Sequence, residues 1–322
     1  MTPPSVRIAV LVPCFNEEAA VATVVADFQK AYQVAPDNLE VNRGLLVSYL
    51  QSGHLTEATQ LGQAAVARWP DDVQLQHWLG LVYFKQQQND RALVALERAK
   101  KLDGTDPDIH FDLALVLLAR NEDSRASKEL EESLTLKPAN AIAHVLLGRT
   151  YQNTNKTLQG IEQFQAALKL DPNVPLGHYH LGFAYASLGR NQEAIAEYEK
   201  ELAHTPDNPQ VQFQLGHSML ETGDWNGAIA HLRKAAALDP QNFDVFYDLG
   251  KALLLNGSSS EAVAPLRRSI ELKPSDPSPH YQLARALEKL GQSDQAKQEW
   301  KEFAVLKKNQ PASGGMASGR VQ

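Results

Sequence analysis

The sequence holds a single cysteine, Cys14, among 322 residues. One thiol excludes an internal disulfide framework and any zinc site built from several cysteines. Long apolar runs are missing as well. The longest, Leu113 to Ala119, falls far short of the ~20 residues a helix needs to cross a bilayer. Basic residues are in deficit: 31 Lys and Arg against 38 Asp and Glu leave a formal charge of −7. A non-specific nucleic-acid binder needs the reverse, a basic stripe that displaces counterions. The apolar stretch Ile8 to Val12 makes a poor secretion signal, because it is brief, Pro13 interrupts it and Glu17-Glu18 follow at once. These absences predict a cytoplasmic protein that binds neither nucleic acid nor membrane.

What the sequence does contain is a period. Prolines fall at Pro36, Pro70, Pro138, Pro172, Pro206, Pro240 and Pro274, at steps of 34 or 68 residues, and the vacant slot holds Gly104, another helix breaker. Leucine keeps the same step at Leu45, Leu79, Leu113, Leu147, Leu181, Leu215, Leu249 and Leu283. A small residue usually follows it, as Gly80, Ala114, Gly148, Gly182, Gly216, Gly250 and Ala284, with Leu46 departing. Leu215, Gly216 and Met219 lie on one face of a helix, and Gly223 ends it, since a left-handed cap favours glycine or asparagine. That slot recurs as Gly53, Asn121, Asn155, Gly189, Gly257 and Gly291. A second helix follows with Ala228, Leu232 and Ala235 on one face and stops before Pro240. Each period is therefore a helical hairpin.

These columns resemble the tetratricopeptide repeat family, whose pattern runs from a large residue through Leu-Gly, Tyr and spaced alanines to a proline over 34 residues. The register predicts eight repeats: 39–72, 73–106, 107–140, 141–174, 175–208, 209–242, 243–276 and 277–310. The resemblance implies an all-α fold, a right-handed superhelical solenoid of eight hairpins. Three departures stand out. Glu201 occupies a small-residue slot and predicts looser packing in the fifth repeat. Phe303 holds that slot in the last repeat, where nothing stacks beyond it. Pro265 lies inside a second helix and should kink it, at up to ~3 kcal/mol.

The ends differ from the array. Residues 311–322, mostly Gly, Ser, Ala and Gln, are expected to be disordered. Residues 1–38 read as a strand over Val6 to Val12, then a helix from Glu17. Val24, Phe28, Ala31 and Pro36 fall on second-helix columns, so residues 17–36 read as half a repeat covering the edge of the first hairpin. The string Pro13-Cys14-Phe15-Asn16-Glu17-Glu18 after a hydrophobic strand resembles, over residues 6–27, the opening of family 2 nucleotide-sugar glycosyltransferases. That family needs an Asp-x-Asp metal motif at the end of a strand. Asp106-Pro107-Asp108 instead falls at the junction of two hairpins and reads as a polar turn.

No catalytic constellation is legible, and neither a cofactor nor a metal is implied. His110, His144, His178 and His280 share one column of different repeats, successive repeats stacking roughly 10 Å apart, and read as packing between repeats. Zinc ligands must converge within ~2 Å of one point. Glu131-Glu132 and Asp71-Asp72 read as solvated faces or turns.

The remaining feature is a surface. In the family that the sequence resembles, first helices line a concave groove in which partners lie. One groove column runs Arg43, His77, Phe111, Val145, Tyr179, Phe213, Tyr247 and Tyr281. The other runs Val47, Leu81, Leu115, Arg149, Phe183, His217, Lys251 and Arg285. The expected site is Phe111, Arg149, Tyr179, Phe183, Phe213, His217, Tyr247, Lys251, Tyr281 and Arg285. Its ligand would be a protein or peptide segment, acidic or carboxylate-bearing, held by cations with aromatic area beside them. The function read from the sequence is a non-enzymatic interaction scaffold. The alternative is the regulatory or substrate-recruiting arm of a glycosyltransferase system.

Overall fold

The computed structural model describes residues 18–309, with side chains from residue 22 onward. The strand expected over 6–12, the glycosyltransferase-like string through Glu17 and the tail 311–322 lie outside the described residues. Among those residues the fold is all-α, with no strand.

Helix α1 (Glu18–Val34) precedes eight hairpins. These are α2 (Leu39–Ser52) with α3 (Leu55–Arg68), α4 (Val73–Lys85) with α5 (Asn89–Leu102), and α6 (Pro107–Ala119) with α7 (Asp123–Leu136). Then follow α8 (Ala141–Asn153) with α9 (Thr157–Leu170), α10 (Gly177–Ser187) with α11 (Asn191–His204), and α12 (Pro209–Thr222) with α13 (Trp225–Leu238). The last are α14 (Phe243–Leu255) with α15 (Ser259–Leu272) and α16 (Pro277–Lys289) with α17 (Ser293–Asn309). Helix α15 continues through Pro265.

The chain divides between Pro138 and Ala139 into two compact bodies. In the first, α1 packs on α2. Val25 is the deeply buried anchor of α1, in place of the expected Val24, while Phe28 and Tyr32 pack at the edge of the same core. In the second body, one hydrophobic core runs from Val145 to Ala296. Within each body, first helices of neighbouring repeats touch: α2 with α4 and α4 with α6, then α8, α10, α12, α14 and α16 in succession. Second helices of neighbouring repeats make no comparable contact. The first helices therefore form the inner side of each body.

Helix starts and stops follow short-range chemistry. Asn38, Asp72, Asp106, Asn140, Asn208, Asn242 and Asp276 each cap a first helix, their side chains accepting backbone amides of its first turn. Every hairpin turn has one residue in the left-handed region; in the second repeat this is Gln87, at φ 59°. Hairpins close by seating a large second-helix side chain on the small residue after the invariant leucine. A Cβ on Gly182 would lie 2.8 Å from Tyr198 Cε1, and one on Gly80 would lie 2.7 Å from Leu96 Cγ. Glycine is required there for close approach.

The fifth repeat breaks the capping rule. Val174 stands in the cap column and turns into the core, at 4% exposure. The first helix starts late, at Gly177, after Leu176 in the left-handed region, and has no side-chain cap. Glu201 corrects for this. It is buried rather than loosely packed, and its Oε2 accepts the Tyr179 amide at 3.2 Å. In the third and seventh repeats the same column holds Ser133 and Ser269, whose hydroxyls donate to the carbonyls of Pro107 and Phe243 at the start of the paired helix.

Candidate functional site

Each histidine of the column clasps its own hairpin, which corrects the expected packing between repeats. Nδ1 of His110 lies 2.8 Å from Glu129, that of His178 2.6 Å from Glu197, and that of His280 2.6 Å from Glu299. In the fourth repeat the partner of His144 is Gln163 at 2.7 Å. The sixth repeat inverts the pair, with His231 on the second helix 2.7 Å from Gln212 on the first. In the seventh repeat the two slots hold Phe246 and Pro265, so this polar pair is replaced by apolar groups. All these partners lie 19 residues apart, a spacing that could have been found by comparing columns across the two helices. Among the described residues no group of three or more His, Cys, Asp or Glu is placed to hold a metal.

The residues of both columns stand on first helices. In the first body, Phe111 is half-buried. In the second body, Phe183, Phe213 and Tyr247 are half-buried, Tyr281 is exposed, and Tyr179 is buried at 7% exposure. Tyr179 therefore offers little area to a ligand and instead backs Phe183, with ring centroids 6.4 Å apart at 28°. Phe213 leans on His217 at 6.0 Å, Tyr247 stacks on Phe243 at 6.3 Å, and Tyr281 meets Trp300 and Phe303 at 5.2 and 5.4 Å. Phe303 thus fills the last hairpin's edge with an aromatic cluster.

Most cations of these columns are already matched. Arg43 pairs with Asp72 and Glu40, and His77 with Asp112 at 2.6 Å. His217 Nδ1 lies 2.7 Å from Asp248, and Lys251 Nζ 3.1 Å from Glu221. The hydrogen bond to Asp248 raises the His217 pKa above its ordinary value despite burial. Arg285 rests on the Tyr281 ring, 5.7 Å from its centroid, and donates to Gln282 at 3.3 Å. Arg149 is exposed and makes no ion pair or hydrogen bond among the described residues. The acids that match these cations lie outside the two columns. Asp112 and Asp248 stand just before the invariant leucine, in a column whose fifth-repeat member is His180.

His180 is unlike the other histidines. Its ring stacks on Phe164 at 5.7 Å and meets Tyr179 edge-on at 5.2 Å, and no hydrogen bond to it is formed among the described residues. Burial, and then the charge of Arg149, lower its pKa to about 3, so it is neutral near pH 7. Tyr198, whose ring lies 6.1 Å from that of Tyr179, has a buried hydroxyl without a partner among the described residues.

A family model described as TPR repeat matches residues 80–119 and 219–257. Two more described as tetratricopeptide repeat match 18–73 with 145–209, and 266–298. Together these segments make up more than half of the sequence, and the chain belongs to the tetratricopeptide repeat family. A chain of the APC/C hetero-tetramer Cut9-Hcn1 is similar over 83% of this chain, at 19% identity and a TM-score of 0.57. The match spans 52% of that chain, about half its length. YrrB, a TPR protein with an unusual peptide-binding site, is similar over 58% of this chain and 96% of its own, at 20% identity and a TM-score of 0.53. A MamA from Desulfovibrio magneticus RS-1 is similar over 53% of this chain and 96% of its own, at 19% identity and a TM-score of 0.50. At these identities the likeness is one of fold. No curated protein matches the sequence. No helix among the described residues is long and apolar enough to cross a membrane.

Proposed function

We propose that the chain is a non-enzymatic scaffold that holds an extended protein segment along the first helices of its second body. One observation carries this reading. Along α10, α12 and α14 the columns that close the hairpins are buried, yet Phe183, Phe213 and Tyr247 remain half-exposed on the inner side. Large rings left open beside polar neighbours are the usual anchors of an interface. The matched pairs His217–Asp248 and Lys251–Glu221 supply polar rim rather than net charge. The likeness in fold to YrrB, which has a peptide-binding site, supports the same class of ligand.

The test is affinity capture with the full chain, followed by titration of the captured partner against wild type and the Phe183→Ala/Phe213→Ala variant. Loss of at least tenfold in affinity with unchanged helicity is expected, since buried aromatic anchors are each worth about 2 kcal/mol or more. Equal affinity for both proteins would place the interface elsewhere. The second reading, an arm of a glycosyltransferase system, rests on the Pro13–Glu18 string. It requires nucleotide-sugar binding that Glu17→Ala removes.

A further inference from the structure

Helices α8 and α10 contain no aspartate or glutamate, and Arg149 is their sole lysine or arginine. The repeat geometry shows what is missing. In the sixth repeat His217 occupies the position equivalent to Arg149, and its partner Asp248 stands 31 residues later, on the next first helix. The residue 31 after Arg149 is His180. Arg149 is close enough to act on both His180 and Tyr179 through its charge. Where the sixth repeat has a carboxylate to neutralise the groove cation, the fourth and fifth present an aromatic ring with no negative charge. The half-exposed Phe183 lies one turn further along α10, and the open rings of Phe213 and Tyr247 continue on α12 and α14. An arginine on the inner face of a helix pair without an acid, beside apolar rings, is complementary to a carboxylate.

We propose that Arg149 anchors an aspartate or glutamate side chain of an extended partner segment, in the place that Asp248 fills for His217, with an apolar residue of the same segment lying on Phe183. This rests on the groove reading above and names its ligand chemistry. The recognition chemistry is that of a carboxylate, and the probes below separate a side-chain carboxylate, the occupant proposed, from a chain terminus. The net charge of −7 repels acidic chains in general. The attraction is therefore local to this cation and sensitive to salt.

The test uses the full chain and three fluorescein-labelled twelve-residue peptides of serine with one central phenylalanine. The first has two glutamates flanking the phenylalanine and an amidated C-terminus. The second has glutamines in their place. The third is the glutamine peptide with a free C-terminal carboxylate. Wild type is expected to bind the glutamate probe about tenfold more tightly than the amidated glutamine probe in anisotropy titrations, as one charge-assisted pair provides. Arg149→Gln should abolish that preference. So should His180→Asp, which places an acid where Asp248 stands and satisfies Arg149 from within.

Absence of a preference, or its survival in Arg149→Gln, overturns the proposal; Arg149 is exposed, so that variant folds whatever His180→Asp does. A preference shown only by the free-carboxylate probe also overturns it, in favour of a chain terminus. Phe213→Ala separates the two readings. If it weakens all probes alike while Arg149→Gln changes nothing, the groove stands and the acidic anchor falls. If neither variant affects any probe, the groove reading falls as well.

Discussion

Glu201 accepts the backbone amide of Tyr179 at 3.2 Å, from a buried position on the second helix of the fifth repeat. This hydrogen bond substitutes for the cap that Asn or Asp supplies in the other seven repeats and that Val174 cannot supply here. Val174 instead adds a buried side chain to the core. The repeat has exchanged a local cap for a tertiary one, and the helix starts two residues late as a result.

Removing this tertiary cap should be costly. Glu201→Ala leaves the Tyr179 amide buried without an acceptor and is expected to destabilise the chain by about 2 kcal/mol. Glu201→Gln keeps an acceptor oxygen at the same reach and should lose less than half of that. Urea titration followed by circular dichroism compares them. Equal losses would mean that the pocket requires the charge rather than the acceptor.

Gln87 is the one member of the hairpin-turn column that is neither glycine nor asparagine, yet it adopts φ 59°. A side chain there crowds the following carbonyl, at roughly 1–2 kcal/mol for an L residue. Gln87→Gly is expected to raise stability by about 1 kcal/mol, after the loss of unfolded-chain entropy is deducted. A lower urea midpoint than wild type would show that Gln87 makes a compensating contact.

The inverted clasp of the sixth repeat makes a prediction for the fifth. If the 19-residue pair needs only complementary reach, exchanging its members should be tolerated, as Gln212 and His231 show. His178→Gln and Glu197→His should each destabilise alone. The double variant should recover most of the loss, with a coupling energy of about 1 kcal/mol. A double variant as unstable as the sum of the singles would mean that orientation, rather than pairing, is selected.

Two histidines should tilt stability in opposite directions with pH. His180 has its pKa lowered to about 3 in the folded chain and near 6.5 when unfolded. Between those values only the unfolded chain takes up the proton. Stability therefore falls as pH drops below about 6.5, at up to ~1.4 kcal/mol per pH unit. His217 is raised, chiefly by its hydrogen bond to Asp248. Its contribution is complete below about 6.5 and is lost as pH rises through the raised value, and partial exposure keeps it small. Urea midpoints from pH 4.5 to 8.5 should show a shallower acid slope for His180→Phe and a flatter alkaline limb for His217→Gln. An unchanged acid slope in His180→Phe would assign that slope to other groups.

The repeat period, and the hairpin boundaries and caps outside the fifth repeat, were determined by the sequence itself, because each depends on residues within a few positions of one another. The left-handed turn column ends each first helix, Asn and Asp cap the turn they begin, and a 34-residue period leaves one register, whereas α15 runs on through Pro265. The two columns fall on first helices for the same local reason, since helical spacing sets which residues share a face. Only the tertiary structure decided which residues meet across helices. It showed that the histidines close their own hairpins, that Glu201 reaches Tyr179, that Tyr179 is buried behind Phe183, and that the periodic array divides at Pro138 although every column continues through it. It also separated the cations of these columns into those paired with an acid, Arg285, which rests on a ring and donates to Gln282, and Arg149, which makes no ion pair or hydrogen bond among the described residues. These distinctions turn on side-chain reach and on the next helix's choice of residue at one position, which a list of columns read one at a time does not contain.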